Sequence, residues 1–333
     1  MAPKGYLDVH CHFFPGISND LALQLVQQLR AAHFLVEDAS QLQWSPECIL
    51  EYNDHAGVAM ALLSYVASSH EKLREGNDYA HKIVQRYPTR FGHLLALPTD
   101  DTEACLREIE HGDNYDEPRP DGYAVNTQYC GVPLSDDRLA PVFERLNARG
   151  AILHVHPNAY LPGEYGKPSA LIDVAFDTCR VATDMLYKGV FRRYRNIKFI
   201  FAHCGGALPV LSGRLSLLGA EPWVPNPEKL AKHDIESQLS NLYVDTAATA
   251  KTGLRPAAKM VGWDHCIYGA DCGVPCSSWK TMDENLEDVA AVEAEAHVKQ
   301  WTVRDNSWKL FPAAAKRAEQ SLGAEDEQST SLC

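Results

Sequence analysis

Four short stretches of this chain carry side chains of the types that can hold metal ions. His10-Cys11-His12 places two histidines at i and i+2, and side chains that alternate along a strand put both on one face, able to grip one ion. His154-Val155-His156-Pro157 repeats the spacing, and the later residue, His156, lies nearer the end of its apolar stretch and is the better ligand; His154 reads as a buried, hydrogen-bonded histidine. Ala202-His203-Cys204-Gly205-Gly206 sends a histidine into a glycine turn, where backbone can approach a ligand closely. Tyr268-Gly269-Ala270-Asp271-Cys272 contributes a carboxylate. Each has an ordinary reading as packed or exposed polar residues. Together they supply histidine nitrogens and one carboxylate, a donor set that suits a first-row divalent ion, zinc first, with manganese, iron or magnesium as alternatives.

These residues must be brought together by the elements that carry them. Apolar strands are expected at Tyr6–His10, Gly57–Val66, Phe91–Leu97, Gly122–Asn126, Ala151–Val155, Ile197–Ala202, Leu242–Asp245 and His265–Gly269. Helical periodicity separates them, at Asn77–Tyr87, Thr102–His111, Asp137–Arg149 and Ile172–Tyr187 among others. Alternating strands and helices imply parallel pairing through right-handed crossovers, and eight such units predict a closed (β/α)₈ TIM barrel. The four motifs then end the first, fifth, sixth and eighth strands, at the C-terminal mouth where barrels place their sites. Residues 1–323 read as a single domain. Phe13–Trp44 form an insertion after the first strand that could serve as a lid, Asp113–Asp121 an acidic loop, and residues 324–333 a disordered tail.

Composition narrows the function. Of 333 residues, 45% are hydrophobic and 23% charged, with 31 basic against 44 acidic side chains and a formal charge of −13. Such an acidic chain lacks the electrostatic footprint of a nucleic-acid partner or of an anionic membrane surface. No apolar run approaches a membrane span, and no signal-peptide stretch opens the sequence, so a cytoplasmic setting is expected. The ten cysteines are scattered and read as reduced, mostly packed thiols, including Cys204 and Cys272 beside the candidate site residues. Asp245 reads either as a partner of the site or as a turn cap, and Trp223 with Pro222, Pro225 and Pro227 either as an apolar pocket wall or as a stiffened surface loop.

At this point the chain resembles the amidohydrolase superfamily, in its branch of aminocarboxymuconate-semialdehyde decarboxylase-like non-oxidative decarboxylases. The similarity runs from Asp8-Val9-His10-Cys11-His12 through Gly57-Val58 and Tyr87-Pro88-Thr89-Arg90-Phe91 to Tyr268–Asp271. Within the branch, HVHPNAYLPGEYGKPSALIDVAFDTCR, FAHCGGALPVLSGRLSLLG and YGADCGVPCSSW resemble fungal 6-methylsalicylate decarboxylases most. The resemblance implies one metal held by His10, His12, His156 and Asp271, with His203 serving proton transfer and Asp271 a second candidate proton carrier. It also implies a homodimer or homotetramer. Two departures matter. Some aromatic-acid decarboxylases carry a glutamate three residues after the strand-six histidine, where this chain has Gly206. The muconate-type relatives hold a second substrate carboxylate with an arginine that has no counterpart between Arg30 and Arg74. The fourth strand lacks the lysine that bridges two ions elsewhere in the superfamily, which favours a single metal.

The leading expectation is metal-dependent, non-oxidative decarboxylation of an o-hydroxybenzoate, most specifically 6-methylsalicylate to m-cresol and carbon dioxide. The substrate is then a small aromatic carboxylic acid. No organic cofactor is needed, because the ring hydroxyl itself serves as the electron reservoir. The alternatives are hydrolysis of a lactone or amide by the same barrel, with His203 as base, and decarboxylation of another aromatic or muconate-type acid. Substrate-binding residues are not identified by the sequence.

Overall fold

The computed structural model describes residues 3–13, 19–37, 45–159, 161–273 and 277–320. Eight parallel strands follow in chain order: β1 (Tyr6–His12), β2 (Val58–Ser64), β3 (Phe91–Ala96), β4 (Gly122–Asn126), β5 (Ile152–His156), β6 (Lys198–Phe201), β7 (Tyr243–Asp245) and β8 (Cys266–Ile267). Each pairs with the next, and the ring returns to β1 through the Cys11–Cys272 bridge, with Val9 N–H donating to Tyr268 O at 3.1 Å and His12 N–H to Cys272 O at 2.7 Å. The expected (β/α)₈ barrel is the observed fold.

Strand alternation sorts the side chains into two layers. Leu7, Val9, Met60, Leu62, Leu94, Ala124, Ile200 and Ile267 fill the barrel, closed from below by Trp308, Phe311, Ala314 and Ala318. Ala61, Leu63, Phe91, Leu95, Val125, Leu153, Val155, Phe199, Phe201 and Val244 face the surrounding helices. The C-terminal segment is clamped across the base, where Arg317 donates to both oxygens of buried Asp121 at 3.0 and 2.7 Å.

The helices around the barrel include α1 (Asn19–Ala31), α2 (Pro46–Ala56), α3 (His70–Arg86), α4 (Thr102–Asp113), α5 (Ala140–Ala148), α6 (Asp173–Tyr187) and α7 (Leu208–Leu218). Helix α3 begins earlier than its apolar period indicated. Ser69 caps it by accepting Lys72 N–H at 3.3 Å, and its polar first turns hide the periodicity. Helix α5 is shorter than expected because Asp137–Leu139 form a separate 3₁₀ turn. The stretch after β1 contains α1, but residues 14–18 and 38–44 lie outside the described residues, as do the tail 324–333 and Cys276.

One irregularity of β1 shapes the site. Between Asp8 and Cys11 the strand advances three residues while β2 advances two, from Ala61 to Leu63. The extra residue is a β-bulge, which turns two consecutive side chains to one side. Val9 therefore joins the barrel's apolar layer, while His10 also faces inward.

Candidate metal centre

Above the apolar layer the barrel interior becomes polar. His10, His12, His156 and Asp271 each bring one ligand atom into a group in which all lie within 4.8 Å of one another. His10 Nε2 stands 3.0 Å from His12 Nε2 and 3.2 Å from Asp271 Oδ1, and His12 Nε2 is 3.4 Å from that oxygen. Donors about 2.1 Å from a common ion stand about 3.0 Å apart at right angles and about 3.4 Å apart at tetrahedral angles, so these spacings match a coordination shell. His203 adjoins the group without entering it, its Nε2 3.6 Å from Asp271 Oδ2 and its ring centroid 5.1 and 5.3 Å from those of His10 and His156.

Charge also fits a cation. Burial alone would raise the Asp271 and Asp245 carboxyls, but His10 foremost, with the other imidazoles bonded to them, holds both well below the ordinary range. Burial lowers His12, lowers His154 to about 4, and with its histidine neighbours takes His156 well below the usual value. Burial also opposes charge on His10, yet Asp245 and Asp271 outweigh it and raise that group well above its ordinary value. Two buried carboxylates thus share the positive charge of His10 among imidazoles that burial lowers, and buried negative charge requires positive compensation. A divalent ion matches that requirement, and neutral imidazole is the ligating form.

Asp245 organises the layer beneath. Its Oδ2 accepts from His10 Nδ1 at 3.0 Å and His154 Nε2 at 2.8 Å, while Oδ1 accepts the amides of His203 and Ala247 at 2.9 and 3.0 Å. With Nδ1–H committed to this carboxylate, the His10 lone pair on Nε2 is aimed at the ligand group. Asp245 therefore fills both roles that its sequence position left open, and His154 is the buried, bonded histidine expected. Gly269 makes room for the pair. A Cβ there would lie 2.8 Å from His10 Cβ and 3.1 Å from that of Asp245.

The loop after β6 holds His203 in a left-handed conformation (φ 56°, ψ 52°), followed by Cys204 at φ 55°, and Asp271 has φ 60°. Such backbone is uncommon for residues with a Cβ and clusters at functional sites. Gly206, also at positive φ, ends the turn where a Cβ would come within 2.5 Å of Ala175 O, and Ala207 N–H donates to that carbonyl at 2.9 Å. Helix α6 thus occupies the place where a side chain at 206 would go, and this backbone leaves no room there for a glutamate. Cys11, Cys204 and Cys272 are buried free thiols, as their positions implied, and Trp223 is exposed on its loop, the surface alternative of its two readings.

Sequence reasoning assigned no role to Asp8, although the residue opens the D-V-H-C-H motif. Its signal was a charged residue inside an apolar strand, where burial demands partners. No substrate contacts are assigned by the geometry.

Among characterised proteins, the chain is 28% identical over 348 residues to decarboxylase yanB of Aspergillus niger, covering 95% of this chain and 90% of that one. It is 27% identical over 337 residues to the 6-methylsalicylic acid decarboxylase acuB of Aspergillus aculeatus, covering 94% and 97%. Among solved structures, the dihydroxybenzoic acid decarboxylase of Polaromonas sp. JS666, with bound manganese and the inhibitor 2-nitroresorcinol, superposes with a TM-score of 0.73 at 23% identity over 93% of this chain and 97% of that one. The superfamily and the branch read from the sequence agree with these relatives. The amidohydrolase profile matches residues 7–313, nearly the whole barrel with its histidine and aspartate motifs, and the chain belongs to the amidohydrolase family.

Proposed function

We propose that this barrel is a metal-dependent, non-oxidative decarboxylase of o-hydroxybenzoates, with 6-methylsalicylate as the leading substrate and m-cresol and carbon dioxide as products. The observation that carries it is the convergence of His10, His12, His156 and Asp271 on one point, with His203 beside them and free of the cluster. The relatives named decarboxylases, two thirds or more of whose length is matched, support the reaction class. Zinc is the first choice of metal on the donor set, and manganese, found in the Polaromonas neighbour, the second.

A bound divalent ion supplies fixed positive charge that orients the hydroxyl and carboxylate of the substrate and favours the phenolate. The chain does the rest. The ring carbon that bears the carboxylate takes up one proton with electrons supplied by the phenolate, and the bond to the carboxylate then breaks, its electron pair restoring the aromatic ring as carbon dioxide leaves, so each turnover consumes a proton. His203, whose Nε2 faces Asp271, delivers that proton to the ring carbon and is recharged from solvent. Asp245 fixes the backbone amide of His203 and so the height of its ring above the cluster.

Reaction in heavy water tests this directly. The expected m-cresol carries one deuterium on the carbon that lost its carboxylate, with no oxygen consumed and no nicotinamide or flavin required. Product without ring deuterium, or dependence on oxygen, refutes the mechanism. Self-association into a dimer or tetramer accompanies the proposal. Leu171, Ile172 and Phe176 before and within α6, and Val210 and Leu217 on α7, expose apolar area, and α6 and α7 pack together. Light scattering that gives a monomer mass at working concentration would remove it. A cytoplasmic setting is retained, consistent with eight free thiols among the described residues, where no helix is long and apolar enough to cross a membrane. Oxidative pairing of those thiols in freshly lysed cells would overturn that setting.

A further inference from the structure

Asp8 is fully buried on the helix-facing side of β1, at the bulge that turns His10 inward. A bulge takes the amide of its extra residue out of the strand ladder, and a buried amide left without an acceptor is costly. Asp8 Oδ1 accepts the His10 amide at 2.9 Å. The same oxygen accepts the amide of Ala270, also at 2.9 Å, one residue before Asp271 and 262 positions away in sequence. Asp8 Oδ2 makes no hydrogen bond to the described residues. The whole hold is therefore exerted through one oxygen, across the seam where β1 closes on β8.

We propose that Asp8 is a positioning residue for the metal centre: by accepting the His10 and Ala270 amides on a single oxygen, it aims a histidine of β1 and the carboxylate after β8 at the same point. The seam needs such a tie because regular pairing is sparse there. β8 pairs with β7 through only Cys266 and Ile267, and the β1 contact is an isolated bridge at Cys11–Cys272. Among the described residues, the other backbone hydrogen bonds across the seam are the neighbouring Val9–Tyr268 and His12–Cys272 bonds, and neither holds the amide of His10 or of Ala270. The inference rests on the reading of His10 and Asp271 as metal ligands.

The test loads the full-length protein with Co(II), whose visible absorption reports ligand number and geometry, and measures its affinity by competition with a chromogenic chelator. Asp8→Asn keeps an acceptor oxygen facing both amides and is expected to bind within about threefold of the native protein with the same absorption bands. Asp8→Ala removes the acceptor and is expected to bind about 10–100-fold more weakly with altered bands, the scale seen when partners that orient ligands are lost. Asp121→Asn, which loosens the Arg317 clamp at the opposite end of the barrel, is expected to lower the melting temperature and leave Co(II) binding native. The inference is overturned if Asp8→Ala binds like the native protein, if Asp8→Asn weakens as much as Asp8→Ala, or if Asp121→Asn weakens binding equally. Should Asp8→Ala fail to fold, Asp8→Asn decides by itself: native affinity and bands support the acceptor role, and weakened binding refutes it. Native protein that binds no Co(II) refutes the metal reading itself, which separates the two failures.

Discussion

Replacing Asp245 with asparagine should disable the metal centre without touching a ligand. Asp245 presents four acceptor contacts, to two backbone amides through Oδ1 and to two imidazoles through Oδ2. Asparagine has one acceptor oxygen and one NH₂. The amides of His203 and Ala247 cannot reverse their polarity, so the oxygen must stay with them. The NH₂ then faces His10 Nδ1 and His154 Nε2, which must switch from donors to acceptors. For His10 this moves the ring proton to Nε2, the atom 3.0 Å from His12 Nε2 and 3.2 Å from Asp271, and masks the lone pair aimed at the ion. Hydrogen bonds to charged groups contribute about 1.5–3 kcal/mol each. Loss of the His10 bond alone thus corresponds to roughly a 10–100-fold drop in metal affinity, since about 1.4 kcal/mol is tenfold, and mutation of such orienting partners has that effect elsewhere. Chelator competition with zinc or manganese near neutral pH, with circular dichroism to confirm the fold, measures it. An Asp245→Asn protein that folds and binds the ion as tightly as the native chain would refute the tautomer argument, even if its activity fell.

His12, inside the ligand group, and His203, beside it, should separate by role. His12→Ala is expected to lose ion and activity together, whereas His203→Ala should keep the ion and lose about a hundredfold or more in turnover, the scale of a positioned acid; a metal-free His203→Ala protein would make His203 a ligand. Away from the site, burial takes His93, with His81 adding to the effect, down to about 3. The unfolded histidine binds a proton near pH 6.5 and the folded one does not until about pH 3, so stability present above pH 6.5 falls through that window by about 1.4 kcal/mol per pH unit, roughly 2 kcal/mol by pH 5. His93→Gln should flatten this acid limb in urea unfolding at about pH 7 and pH 5, and an unchanged difference would show that the imidazole is not buried neutral.

The eight strands were legible because each is a short apolar run between helical periods, and burial on both faces is what a parallel barrel imposes. The positions of His10, His12, His156, His203 and Asp271 followed from the same pattern, since each lies near or just beyond the C-terminal end of a strand and all such ends of a barrel meet at one mouth. Local order also set their rough spacing. What only the tertiary structure decided is how those side chains are aimed. Strict alternation from Leu7 and Val9 would turn His10 and His12 toward the helices, and the bulge at β1 reverses that. A bulge is a mismatch in count between two strands, so it is invisible in either one alone. The tautomer of His10 depends on Asp245, 235 positions away, and the seam between β1 and β8 on a carboxylate at Asp8 that reaches Ala270. Gly206 likewise acquires its reason only when the backbone of α6 packs against it. Hydrogen bonds between residues remote in sequence depend on chain closure, and closure is a property of the folded barrel rather than of any segment.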